Sequence, residues 1–228
     1  MRSASLGGAH EPLGVAAAKQ STPHSRTTLG GVKAYYEARA REYDEWVYGT
    51  GLFADRHRLG WHAERERLQD ALAALPPART LDVACGTGWM TQHLRGDIVG
   101  LDASESMLEI ARERVPNGEF VVGDALSLPF EDLSFDRVVT GHFYGHLEDP
   151  ERSRFVAAAR RVARELVVVD SALHDGVQPR ERQERVLNDG SRWEVFKRYF
   201  TGEELAGELG GGEVYFAGNW FVAVRSPA

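Results

Sequence analysis

Between residues 80 and 170 the apolar positions fall into five short, unbroken runs, at 80–84, 97–101, 119–122, 135–140 and 165–170, each rich in Val, Leu and Ile. Runs of that length without polar alternation read as strands buried on both faces. Between them, 89–94, 104–114 and 150–163 have helical spacing, which predicts a parallel sheet with helices on both faces. Ahead of the first run, Val32, Tyr35, Tyr36, Tyr43 and Trp46 predict a helix over 31–46, and a second helix over 54–75 stops at Pro76-Pro77. Residues 175–198 are polar and carry no strand signal, so they read as an irregular insertion. A helix over 201–209 follows, then strand-like runs at 213–216 and 220–225 whose three-residue link, Ala217-Gly218-Asn219, forces an antiparallel hairpin. Residues 1–28 lack any sustained apolar period and read as a disordered tail ahead of a single domain over 29–228.

Composition narrows the class. The chain has 228 residues, a formal charge of -7 and one cysteine, Cys85, so an intrachain disulfide and a multi-cysteine zinc site are both excluded. The acidic balance argues against a nucleic-acid partner. Arg152, Arg154, Arg160, Arg161 and Arg164 do cluster, but at the spacing of a solvated helix face. No apolar run has the length of a membrane span, and the first twenty residues lack the apolar segment of a secretory signal, which together point to a cytoplasmic protein.

The chemistry concentrates at strand ends. Leu81-Asp82-Val83-Ala84-Cys85-Gly86-Thr87-Gly88 is a buried strand entering a small-residue turn and then the expected helix, the layout of a nucleotide-type site. Twenty residues past Asp82, Asp102 ends the second run, where a carboxylate accepts both hydroxyls of a ribose. Gly123-Asp124-Ala125 places another carboxylate on the same edge. Taken singly, each carboxylate reads equally as a cap or turn residue; three on one edge beside the glycine loop read as a ligand site. Thr91 stands where a dinucleotide fingerprint needs its third glycine, and Asp82 would repel a pyrophosphate, which disfavours NAD. No set of metal ligands stands out.

Those segments, with Gly100-Leu101-Asp102-Ala103-Ser104, Leu128-Pro129-Phe130 and Ser134-Phe135-Asp136, resemble in order and spacing the motifs of class I S-adenosylmethionine-dependent methyltransferases. The resemblance covers about residues 32–225 and extends to Tyr36 with Tyr43-Asp44 and to Arg198-Tyr199-Phe200-Thr201, as in the small-molecule branch that includes quinone methyltransferases. Ala84 departs from the glycine many members carry there. The resemblance implies a Rossmann-like seven-stranded α/β sheet of order 3-2-1-4-5-7-6 with strand 7 antiparallel, and an N-terminal helical lid over 29–76. It also implies that Asp82 and the loop Ala84, Cys85, Gly86 and Gly88 hold the methionine end of the cofactor. Asp102 would bind its ribose, Asp124 the adenine amino group with Ala125 and Gly123 beside the ring, and Met107 or Ala103 the adenine face. His142 would lie near the sulfonium, with Tyr36 and Tyr43 closing the pocket.

Methyl transfer from a sulfonium is an in-line displacement that mainly needs alignment and exclusion of water. The loop Thr140-Gly141-His142-Phe143-Tyr144-Gly145-His146 offers His146, or else His142, as a base. The other reading is that this loop only shapes the pocket and that His146 caps the helix beginning near Pro150. Tyr144, His146, His174, Trp193 and Phe196 are the candidate acceptor contacts, the last two lying in the 175–198 insertion. The expected acceptor is a small aromatic or polyketide-like metabolite methylated on oxygen or carbon. N-methylation and a cofactor-binding protein without activity are the alternatives, with a monomer or homodimer as the assembly.

Overall fold

The computed structural model describes residues 29–227, so the tail expected over 1–28 lies outside the described residues. Its strands are β1 (Thr80–Val83), β2 (Ile98–Asp102), β3 (Glu119–Val122), β4 (Arg137–Gly141), β5 (Glu165–Ser171), β6 (Arg180–Val186), β7 (Arg192–Arg198), β8 (Glu213–Ala217) and β9 (Phe221–Pro227). Seven of them form one sheet in the order β3-β2-β1-β4-β5-β9-β8. β1 to β5 are mutually parallel, and β9 is antiparallel to both neighbours. The expected order therefore holds, with the last two strands renumbered by a hairpin, β6-β7, that stands outside the sheet.

The helices are α1 (Leu29–Arg39), α2 (Glu45–Tyr48), α3 (Trp61–Ala74), α4 (Glu105–Arg114), α5 (Asp149–Val162) and α6 (Gly202–Glu208). Alternate residues of each central strand bury on opposite faces. Leu166, Val168, Val222 and Val224 meet Phe155, Ala159 and Val162 of α5 and Leu205 of α6. Val167, Val169, Phe221 and Ala223 instead meet Trp61, Leu68 and Leu72 of α3. This two-sided burial is why the strands read as unbroken apolar runs.

Several expectations change, and the helix expected over 54–75 begins only at Trp61. The helix placed at 89–94 shrinks to a single 3-10 turn, Thr91–His93. Only seven residues separate Gly88 (φ 73) from Gly96 (φ 105), fewer than two α-helical turns, and the segment between them forms no α-helix. The leading helix is broken after Arg39 by a 3-10 turn, and α2 ends at Gly49 (φ 69). Finally, 180–198 is an antiparallel hairpin with Arg182 opposite Phe196 and Glu184 opposite Glu194. β6 is polar on both faces and is paired to β7 by Arg192 with Glu184 and Arg182 with Glu194, while β7 has only Trp193 and Val195 as an apolar face, too short an alternation to mark the hairpin. The arginine cluster is no open patch: Arg152 is buried against Glu208, Arg160 donates to the Leu209 carbonyl, and Arg161 pairs with Asp132.

Glu64 ties α3 to the β8-β9 turn. Its carboxylate accepts the N–H groups of Asn219, Trp220 and Phe221 at 2.9, 2.7 and 2.8 Å. Glu64→Ala strands these donors beside the core, and urea denaturation is expected to show a loss of about 2–3 kcal/mol. An unchanged midpoint would mean that water replaces the carboxylate.

Candidate active site

Because β1 to β4 are parallel and in register, the residues that follow them converge on one edge. Gly86, Asp102, Gly123, Asp124 and His142 line one cavity of about 620 Å³. The turn after β1 is left-handed at Ala84 (φ 57) and Gly86 (φ 55); at Ala84 this conformation costs about 1 kcal/mol that a glycine would avoid. The turn aims the Gly86 N–H at Asp102 Oδ2, 2.9 Å away, while the Ser104 N–H donates to Oδ1 at 2.9 Å. Burial raises the Asp102 pKa and these N–H bonds oppose the rise. Each carboxylate oxygen keeps lone-pair capacity toward the cavity. Asp124 Oδ1 accepts the Leu126 N–H at 2.9 Å. Leu101, Ala103, Met107, Ala125 and Leu126 supply apolar lining between the two carboxylates. A diol at Asp102, an amino group at Asp124 and a flat ring between them describe a nucleoside, so the lining fits one.

Asp82, Cys85 and Gly88 do not line this cavity. Asp82 lies beneath the loop, where burial raises its pKa to about 7 and the Thr91 hydroxyl, 2.6 Å from Oδ2, partly opposes that rise. Cys85 is buried, its sulfur close to Gly100. Gly88 is required by packing: a Cβ there would lie 3.2 Å from the Ala111 backbone of α4.

A second cavity, of about 340 Å³, adjoins the first. Tyr36, Tyr43, His142 and His146 line both. His174 lines the smaller one with Tyr199 and Trp220, while Phe196 lines the larger. Tyr144 and Trp193 line neither. Tyr144 turns inward to pack against Phe155 and Phe200, and Trp193 packs against Tyr35, because the core under the loop and the small cluster behind the hairpin each take one aromatic. Sequence reasoning also missed Arg39, Arg56, Arg58 and Arg185 in the smaller cavity.

The two loop histidines are neutral. His142 is left-handed (φ 54), its ring packs 4.7 Å from Trp46, and its buried Nε2 has no partner among the described residues. Burial pushes its pKa down to about 4. His146 Nδ1 lies 2.7 Å from the Phe196 carbonyl, which can only accept, so Nδ1 carries the hydrogen and Nε2 presents a bare lone pair. Burial, then the nearby Lys197 ammonium, pushes its pKa down to about 3. Lys197 Nζ is itself 2.6 Å from Asp170 Oδ1, and Asp170 Oδ2 takes the Gly145 N–H at 2.7 Å. His146 does not cap α5; Glu148 occupies that position, its N–H bonded to the Glu151 carboxylate at 2.9 Å.

The leading segment, whose Lys33, Tyr36 and Tyr43 line the larger cavity, is tied to the neighbouring elements by side chains. Asp44 accepts the Thr87 hydroxyl at 2.7 Å and the Arg114 guanidinium at 2.5 Å, and Arg114 also donates to the Thr87 carbonyl at 2.9 Å. The Ser106 hydroxyl donates to Glu37 at 2.7 Å. Among the described residues no group of three or more His, Cys, Asp and Glu is placed to hold a metal ion, and no helix is long and apolar enough to cross a membrane.

Residues 80–165 match the family described as Methyltransferase domain. A demethylmenaquinone methyltransferase of Thermotoga maritima is 40% identical over 103 residues, 43% of this chain and 44% of the relative. One from Renibacterium salmoninarum is 38% identical over 92 residues, 39% of each chain. The chain thus spans less than half the length of these curated relatives. The solved DhpI–SAH complex superposes with a TM-score of 0.66 at 25% identity, covering 88% of this chain and 98% of that one. The DhpI–SAM–HEP complex gives the same score and identity over 91% and 100%. Residues 80–165 are accordingly a methyltransferase domain, set in the fold of the S-adenosylmethionine-dependent methyltransferases.

Proposed function

We propose that the chain transfers a methyl group from S-adenosylmethionine to a small-molecule acceptor, with the cofactor in the larger cavity and the acceptor in the smaller. The observation that carries this is the Asp102 carboxylate, fixed by Gly86 and Ser104, facing Asp124 across an apolar slot. Asp102 would take the ribose diol, Asp124 the adenine amino group, Met107 the ring face, and Ala84 with Gly86 the amino-acid end. When bound, the cofactor supplies an electrophilic methyl carbon on a sulfonium.

The chain's own part is placement. Tyr36, Tyr43, His142 and His146 form the wall common to both cavities and so define where the two reactants meet. Tyrosine faces there favour a cationic sulfur over a neutral one and exclude water that would compete with the acceptor. The bare Nε2 of His146 can accept a hydrogen bond and orient an acceptor hydroxyl. Its low pKa makes it a weak proton acceptor, which argues for a nucleophile that is already strong. Transfer to oxygen is the finer reading we adopt.

Calorimetric titration of the purified protein with S-adenosylhomocysteine, and in parallel with NAD, tests this reading. Micromolar binding of the first and no heat from the second is expected. Folded protein that binds neither would overturn it.

A further inference from the structure

The smaller cavity carries far more positive charge than its own residues neutralise. Arg39, Arg56, Arg58, Arg185 and Lys197 all line it, against the single carboxylate of Glu184. Lys197 is matched by Asp170, and Glu184 is taken by Arg192 on the outer face of the hairpin. The four arginines have no carboxylate partner among the described residues. Arg39 is buried and, among the described residues, donates only to the Tyr35 hydroxyl, at 2.7 Å. Arg185 donates to the Gln183 side-chain oxygen and leaves a buried Nε without a partner. Arg56 and Arg58 lie over the rings of Phe53 and Trp61, at 4.4 and 3.7 Å from the centroids.

Gathering four guanidinium groups in a partly enclosed space is unfavourable unless something negative joins them. Burial and the neighbouring arginines already lower the pKa of Arg56, and burial takes that of Arg58 to about 10. The feature also runs against the chain as a whole, whose net charge is -7. A basic face for nucleic acid would be open and follow a groove. Here the cations are walled by Trp46, Trp61 and Trp220 in about 340 Å³, the size of a small molecule.

Resting on the methyl-transfer reading, we propose that the acceptor is an oxyanion, a carboxylate or phosphoryl group on a small, flat body, gripped by Arg39, Arg56, Arg58 and Arg185 with the tryptophans against its body. Guanidinium forks match both kinds of oxyanion. An ionised acceptor oxygen also needs no base. Its lone pair attacks the methyl carbon, the C–O bond forms as the C–S bond breaks, and the bonding pair returns to sulfur, leaving a neutral thioether and no proton to remove. The weakly basic histidines on the shared wall suit that stoichiometry.

Protein saturated with S-adenosylhomocysteine, so that the cofactor's own carboxylate is already placed, is titrated with benzoate, phenylphosphonate and neutral benzamide. Saturation itself reports on the methyl-transfer reading, independently of what the second titration shows. At least one anion is expected to bind about tenfold or more tighter than benzamide, with affinity falling as salt rises. Whichever of benzoate and phenylphosphonate binds better identifies the oxyanion as carboxylate or phosphoryl. Arg185→Gln and Arg56→Gln, both nearer the rim than Arg39, should each weaken the anion about tenfold and leave S-adenosylhomocysteine affinity unchanged. Benzamide binding as well as both anions, or anion affinity unaltered in both variants, would overturn the proposal while the cofactor reading stands.

Discussion

Asp102→Ala is expected to weaken S-adenosylhomocysteine binding about 100- to 1,000-fold, the largest effect of any single substitution in the larger cavity. Two charge-assisted hydrogen bonds to a ribose diol are worth about 3–4 kcal/mol together, which corresponds to that factor. The carboxylate also fixes the Gly86 and Ser104 N–H groups, so its loss loosens the β1 turn as well as removing the acceptor. These N–H groups sit at the cavity edge, where water can replace the carboxylate, so the unfolding midpoint should hardly move. Asp102→Asn keeps the shape and one acceptor oxygen and should fall between parent and alanine variant. Calorimetry on all three proteins checks the series. Equal affinities would place the ribose elsewhere.

Lys197→Met should be the most destabilising change at the site, by about 3–5 kcal/mol at neutral pH, because it leaves Asp170 fully buried without its cation. The pH dependence has a definite sign. Burial opposes ionisation of Asp170, but Lys197, together with His142 and His146, outweighs it and holds the carboxyl below the ordinary value, so its stabilisation is full above the unfolded pKa and is lost as pH falls through the folded one. In the variant that carboxyl has a raised pKa and is accommodated better when protonated. His146, at about 3 in the parent, resists protonation while the unfolded chain takes up a proton near pH 6.5; one such group lowers stability by about 1.4 kcal/mol per pH unit on acidification. Removing Lys197 raises the His146 pKa and shortens that window. Both effects act together, so the variant's deficit should be largest at pH 7–8 and narrow toward pH 5. Urea denaturation of both proteins at the two ends of this range measures it, and a deficit that widens on acidification would reverse the assignment.

The parallel sheet was legible because its central strands are buried on both faces, and the Asp102 carboxylate of the larger cavity because it ends such a strand. Asp124 was legible by its place just past β3, an edge strand that is largely exposed. Asp82 lies within β1, one residue before its end, and the left-handed turn at Ala84 leaves its carboxyl bonded to Thr91 and outside the lining of the larger cavity. Tyr144 was one of several aromatics in a loop, and nothing in the order of residues says which of them turns into the core. The β6-β7 hairpin was hidden because β6 is polar on both faces, although Asn188-Asp189-Gly190, with Gly190 at φ 82, is a turn signal that would have located it. The arginines of the smaller cavity come from α1, the segment before α3, and β6, so only the folded chain assembles them.

That hairpin stands apart from the seven-stranded sheet and is joined to its surroundings by side-chain links: Lys197 with Asp170, Arg180 with Asp149, Arg182 with Glu148, Arg198 with Glu208, and His146 with the Phe196 carbonyl. Substitutions along its outward positions change no register in the sheet. Divergence among relatives can therefore run at two speeds in one chain, slow where the sheet edge is shared and fast in the appended strands. Grafting 180–198 from a relative, with Asp170 and Lys197 retained, is a natural route by which selectivity could be exchanged without refolding the rest.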